Sequence, residues 1–144
     1  MLKHKIQLAQ KLSLADWFTL IEAWWLLLFC HFALLVTSYA RLDDSARQVD
    51  SLARGASRAR ADAEQLHRLI YLAAQIHLIP MSCLVQSLTL KKMLGARNIP
   101  AQVRIGAQKT QGSLHAHAWV EVDQMPIGEA DDVAQRFGIL SQMS

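Results

Sequence analysis

At Pro100 the chain changes its hydrophobic period, and that change constrains the fold more than any other feature. Before it, apolar residues recur at helical spacing, with Leu66, Leu69, Ile70, Ala73, Ala74 and Ile76 on one face. After it, "AQVRIGAQ" alternates and sets Val103 and Ile105 on one face of a strand. A polar loop, "QKTQGS", leads to a second alternating run, "LHAHAWVEV". A turn at "DQMP" then leads to a short third strand in "PIGEA". Helices first and an antiparallel meander afterwards give an α+β order. The 144 residues are expected to form one compact domain, with a helical part at 1–78 and a mixed core at 79–144.

The helical part opens on "FTLIEAWWLLLFCHFALLV", Phe18 to Val36. A helix is predicted from an N-cap at Ser13 or Asp16 to near Tyr39. Its apolar stretch approaches the roughly 20 residues that cross a bilayer. Yet Glu22 and His31 are costly at membrane depth, and no small-residue cleavage site follows. A helix buried in the core or facing a partner is the expectation, with docking across Ala23 to Val36. Membrane contact through Phe18 to Val36 is the alternative. The charged, Ala-rich run from Arg41 to Pro80 reads as two helical pieces that bend near 55–58, at Gly55 and Ser57. His67 and His77 fall at its polar face or boundary. Ser82 can cap a further helix to Leu94, with Leu84, Val85 and Leu88 inward, Gly95 as its stop and Pro100 beyond.

Composition removes several classes of function. With 52% hydrophobic and 19% charged residues, the chain is not a disordered tail. The net charge of +3 is spread among acids, and no dense basic run or nucleic-acid motif is present. The two cysteines, Cys30 and Cys83, are too few for a disulfide scaffold and sit in unlike settings, which fits a reducing cytosol.

Cys83 falls in the first turn of its helix, where unpaired N–H groups and the helix dipole favour an anion, as a thiolate nucleophile requires. Such a nucleophile needs a base that works near neutral pH and a third group to orient that base. In "SLHAHAWVEVD" the residues His115, His117, Trp119 and Glu121 share one face of a strand. A three-residue loop at Val122-Asp123-Gln124 would set Glu129 opposite His117, with Asp131 a neighbour of the same parity. Asp132 has the wrong parity, and Asp123 belongs to turn chemistry. A zinc site could draw on His115, His117, Cys83 and an acid. No second Cys or His cluster supports it, so neither a metal nor a cofactor is expected.

Taken together, "CLVQSLTLKKMLGARNIPAQVRIGA", "HAWVEVD" and "IGE" resemble the transglutaminase-like leader peptidases of lasso-peptide biosynthesis. These are the stand-alone form of the microcin-processing protein's C-terminal domain. The resemblance runs from about Cys83 to Glu129, and "FTLIEAWWLLL" is similar to the family's greasy opening helix. It implies a transglutaminase/papain-like core with Cys83 as nucleophile and His117 as general base and acid. Glu129 stands where the family usually has aspartate, and Asp131 is the alternative orienting acid. The resemblance further implies a cytoplasmic cysteine protease acting on a leader–core precursor peptide. Its partners would be a small leader-recognition protein and an ATP-dependent lasso cyclase. An acyl transferase with the same triad, a non-catalytic peptide-binding module and a membrane-anchored protein are the competing readings.

Overall fold

The computed structural model describes residues 13–37 and 56–139; the predicted helix end near Tyr39, the helical piece after Arg41 and Gly55 lie outside them, while Ser57, expected to break the run, is helical. The first helix, α1, runs Leu14–Val36. Both candidate caps take part in one capping box. The Ser13 hydroxyl accepts from the Asp16 N–H, and the Asp16 carboxylate accepts from the Ser13 N–H at 2.9 Å, which holds that carboxyl below its usual range. The other Asp16 oxygen accepts from Gln65 at 2.7 Å, tying α1 to the second helix, α2 (Ala56–Gln75). Glu22 pairs with Arg97 at 3.1 Å. Each acid in the apolar helix therefore has a partner within the fold.

Only one stripe of α1 is buried: Leu20, Ala23, Leu27 and Cys30, spaced three and four apart. Burial there pushes the Cys30 thiol up from its ordinary range, and both cysteines are free. The expectation of exposure across Ala23 to Val36 is corrected in detail. Ala23 and Leu27 are fully buried and Trp24 stacks on His77 at 4.4 Å, whereas Phe18, Ile21, Trp25, Phe29 and Phe32 lie on the surface. By length and composition α1 could cross a membrane.

On α2 the buried positions are Ala59, Ala63, Leu66, Leu69, Ile70 and Ala73; Ile76, expected inside, is exposed because the helix ends at Gln75. The third helix, α3 (Cys83–Ala96), packs against α1, α2 and the sheet together. Its buried set therefore runs most of the way round, through Val85, Leu88, Leu90, Met93 and Leu94. Each large side chain among these contributes about 1.5–3 kcal/mol by leaving water. Buried Thr89 satisfies its hydroxyl on the Val85 carbonyl at 2.8 Å. The predicted stop at Gly95 gives way to one two residues later. Gly95 is helical, and Asn98 takes the left-handed conformation at φ 57°. Asn98 donates to the Gly95 carbonyl and Ile99 to that of Leu94, while the buried Ile99 and Leu94 join the core.

Four antiparallel strands follow in the order β3-β2-β1-β4: β1 Gln102–Thr110, β2 Ser113–Val122, β3 Met125–Ile127 and β4 Gly138–Ile139. A short helix, α4 (Val133–Arg136), precedes β4. Neither α4 nor β4 is anticipated from sequence. The polar "QKTQGS" shrinks to a two-residue turn, Gln111-Gly112, with φ of 49° and 87°. The expected three-residue loop is likewise two residues, Asp123-Gln124, with φ of 51° and 62°. A tight turn with both φ positive matches the strand twist, and Asp tolerates that conformation. Val120, Val122 and Ile127 face the helices and complete the core.

Candidate active site

α3, β2 and the segment after β3 enclose a cleft of about 270 Å³, with α2 as its fourth wall. Cys83 lines it from the first turn of α3. Ser82 caps that helix by accepting from the Val85 N–H at 3.3 Å, and Gln86 ties back to the Met81 carbonyl at 2.9 Å. Neither contact uses the Cys83 N–H, which stays available at a helix start.

His117 lines the same cleft from β2, and its Nε2 lies 2.8 Å from Glu129 Oε1. A carboxylate only accepts, so in the neutral ring Nε2 carries the proton and Nδ1 keeps the lone pair that a base needs. Among the described residues no hydrogen bond joins Cys83 to His117; they share the cleft wall. The His117 ring lies 5.2 Å from Phe137 and 6.1 Å from Trp119. Trp119 is itself locked by donating to Glu121 at 3.0 Å, and Glu121 also accepts from Arg104 at 3.0 Å. Gly106 is the direct partner of His117 on β1, and a Cβ there would strike Phe137 and Trp119. The glycine leaves room for the rings that hold the histidine.

Glu129 reaches His117 by a different route from the predicted one. The two-residue turn pairs Val120 with Ile127, a register in which residue 129 would not face His117. But β3 stops at Ile127, and Gly128 adopts φ 72°, which swings the next residue out of the ladder. α2 grips this corner. Glu64 accepts from the Gly128 N–H at 3.2 Å, and the His67 ring occupies the space where a Cβ on residue 128 would stand. Burial holds the His67 imidazole below its ordinary range, against the opposing pull of Glu64 and Glu129.

The remaining candidates lie elsewhere. Asp131 is 77% exposed in its side chain and turns to Arg60 at 3.8 Å. His115 is exposed on the outer part of β2, and Asp123 is in the turn. No cluster of three or more metal-ligating side chains occurs among the described residues. The sequence reading leaves out Glu64, Gly106 and Phe137, and places His67 only at the polar face or boundary of its helix. A glycine inside a strand, and a Glu and His three apart on one helix face, were the available signals.

A helix that starts on a cysteine, packed on an antiparallel sheet whose histidine meets a carboxylate, gives the chain an α+β architecture. The chain belongs to the transglutaminase-like superfamily, whose model matches residues 26–142. Over 68 residues it is 31% identical to the microcin J25-processing protein McjB of Escherichia coli. That match takes in 47% of this chain and 32% of the relative, so it spans about a third of the relative's length. No solved structure matches.

Proposed function

We propose that this chain is a cysteine peptidase that removes the leader from a lasso-peptide precursor before macrolactam ring closure. The observation that carries the reading is the His117–Glu129 hydrogen bond inside the cleft that Cys83 lines from a helix start. The family assignment and the likeness to a microcin-processing protein support it. Cys83 Sγ attacks the carbonyl carbon at the leader–core junction while His117 Nδ1 takes the thiol proton. The Cys83 N–H is a donor for the oxyanion that forms. The tetrahedral species collapses to a thioester on the leader, and His117 returns the proton to the departing core amine. Water, deprotonated by His117, then hydrolyses the thioester and frees Cys83. Glu129 keeps Nε2–H fixed throughout, so that Nδ1 points at the reaction.

The test is a mass spectrum of the precursor incubated with this protein and a leader-recognition partner. One cut at the junction supports the peptidase. Leader joined to an added amine would make the protein an acyl transferase, as the superfamily name allows. Unchanged precursor despite demonstrated binding would leave a binding module. The same reading includes a cytoplasmic setting, with the recognition protein and an ATP-dependent cyclase as partners.

In this reading the recognition protein sits on the outer face of α1, where Trp25 and Phe29 are 62% and 58% exposed. Trp25→Asp with Phe29→Asp should abolish co-elution of the partner while leaving the thermal midpoint within about 3 °C, since surface changes cost little. A complex that survives the double change would remove α1 as the docking face.

A further inference from the structure

The register of the sheet fixes which way each backbone group of β2 points. Both hairpins close with two-residue turns, so the flanking residues exchange hydrogen bonds: Thr110 with Ser113, and Val122 with Met125. Stepping by two along β2, the odd-numbered residues direct their N–H and C=O groups to β1. The even-numbered residues direct theirs to the opposite edge. β3 occupies that edge only at Val120 and Val122, because it ends at Ile127 and Gly128 turns the chain away. Leu114, Ala116 and Ala118 thus present outward N–H and C=O groups that no described residue meets.

This open lane leads into the cleft. Ala118 lines the cleft beside Cys83 and Glu129, and Ala116 and Leu114 are exposed farther out. His117 stands between the two alanines, whose small side chains leave the edge accessible. At about 3.3 Å per residue the lane is roughly 17 Å long, the reach of about five extended residues.

We infer that this edge of β2 is the substrate subsite, where an extended peptide adds as a further strand beside Leu114–Ala118 and so carries its scissile carbonyl into the cleft. The choice of occupant rests on the peptidase reading. Strand addition also suits it chemically, since main-chain pairing binds a peptide with little regard to sequence and leaves alternate side chains to set preference.

The experiment uses the Cys83→Ala protein, which binds without turnover, and a labelled peptide spanning the leader–core junction, with fluorescence anisotropy as the readout. Ala116→Pro deletes one outward N–H and leaves the pairing with β1, made through residues 115 and 117, in place. Its dissociation constant should rise roughly tenfold, the scale of one or two lost hydrogen bonds. On the unsubstituted edge, peptides N-methylated at single amides should weaken at alternate positions only. That series carries the test should Ala116→Pro disturb folding. Binding indifferent to both changes, or no binding, overturns the proposal. So does exchange protection of the Leu114, Ala116 and Ala118 amides in the free protein, which would mean the chain or a second copy already covers the edge. Cleavage by wild type without the alternation would sink strand addition and leave the peptidase standing. Alternation without cleavage would do the reverse.

Discussion

Replacing Cys83 with alanine is expected to abolish precursor cleavage, a loss of about 10⁴-fold or more, and His117→Ala should match it. The two act as a unit, so the double variant should be hardly worse than either alone. Glu129→Gln should fall in between, roughly 10²-fold down. An amide can donate as well as accept, so it no longer forces the proton onto Nε2. Glu129→Asp should also lose most activity, because one methylene fewer cannot span the 2.8 Å contact to His117 from a corner that α2 holds in place. Asp131→Asn should leave the rate unchanged, since that carboxylate faces Arg60 in solvent. Time courses of product mass, with circular dichroism melts to show that each variant folds, give the series. Full activity in Cys83→Ala would remove the nucleophile, and the mechanism with it.

Gly128→Ala is expected to cost about 2–4 kcal/mol of stability and most of the activity together. Two costs add. A left-handed φ of 72° is worth about 1–2 kcal/mol against any residue with a Cβ. The new methyl also lands on the His67 ring, which must leave the cleft wall. The melting midpoint should drop by roughly 10 °C. Adding His67→Ala should restore part of that loss, because it removes the collision and leaves the strain. A purely additive pair would show that the ring and the glycine do not meet. Glu129 is the next residue, so any shift of this corner is felt at His117, where a displacement of about 1 Å can cost 10²-fold in rate.

Cys83, His117 and the α+β order were legible because each has a local signature. Ser82 marks the helix start, alternation marks β2, and the change of period at Pro100 separates the classes. Glu129 was reached by a parity argument whose premise the structure replaces. The turn is one residue shorter than supposed, and the left-handed Gly128 makes up the difference. A strand's end and a single positive φ leave no periodic trace, so sequence could offer two acids but not the path of the chain. His67 was read as a boundary residue of its helix. Its contact with Gly128 is 61 positions away in sequence, and no local pattern encodes it. Similarly, α1 was read as a helix in the core or facing a partner, but which stripe of an almost wholly apolar helix turns inward has no local signature, because it depends on the elements packed against it.

The arrangement of α1 also bears on how the molecule behaves in a tube. Of its two acids only Glu22 has a cationic partner among the described residues, Arg97; Asp16 keeps its charge while accepting from Gln65. What the helix offers outward is a row of aromatic rings on a chain whose net charge is only +3. Like-charge repulsion then does little to keep two such faces apart. Expression beside a covering partner, or in a mild detergent, should raise the soluble yield more than any change of salt.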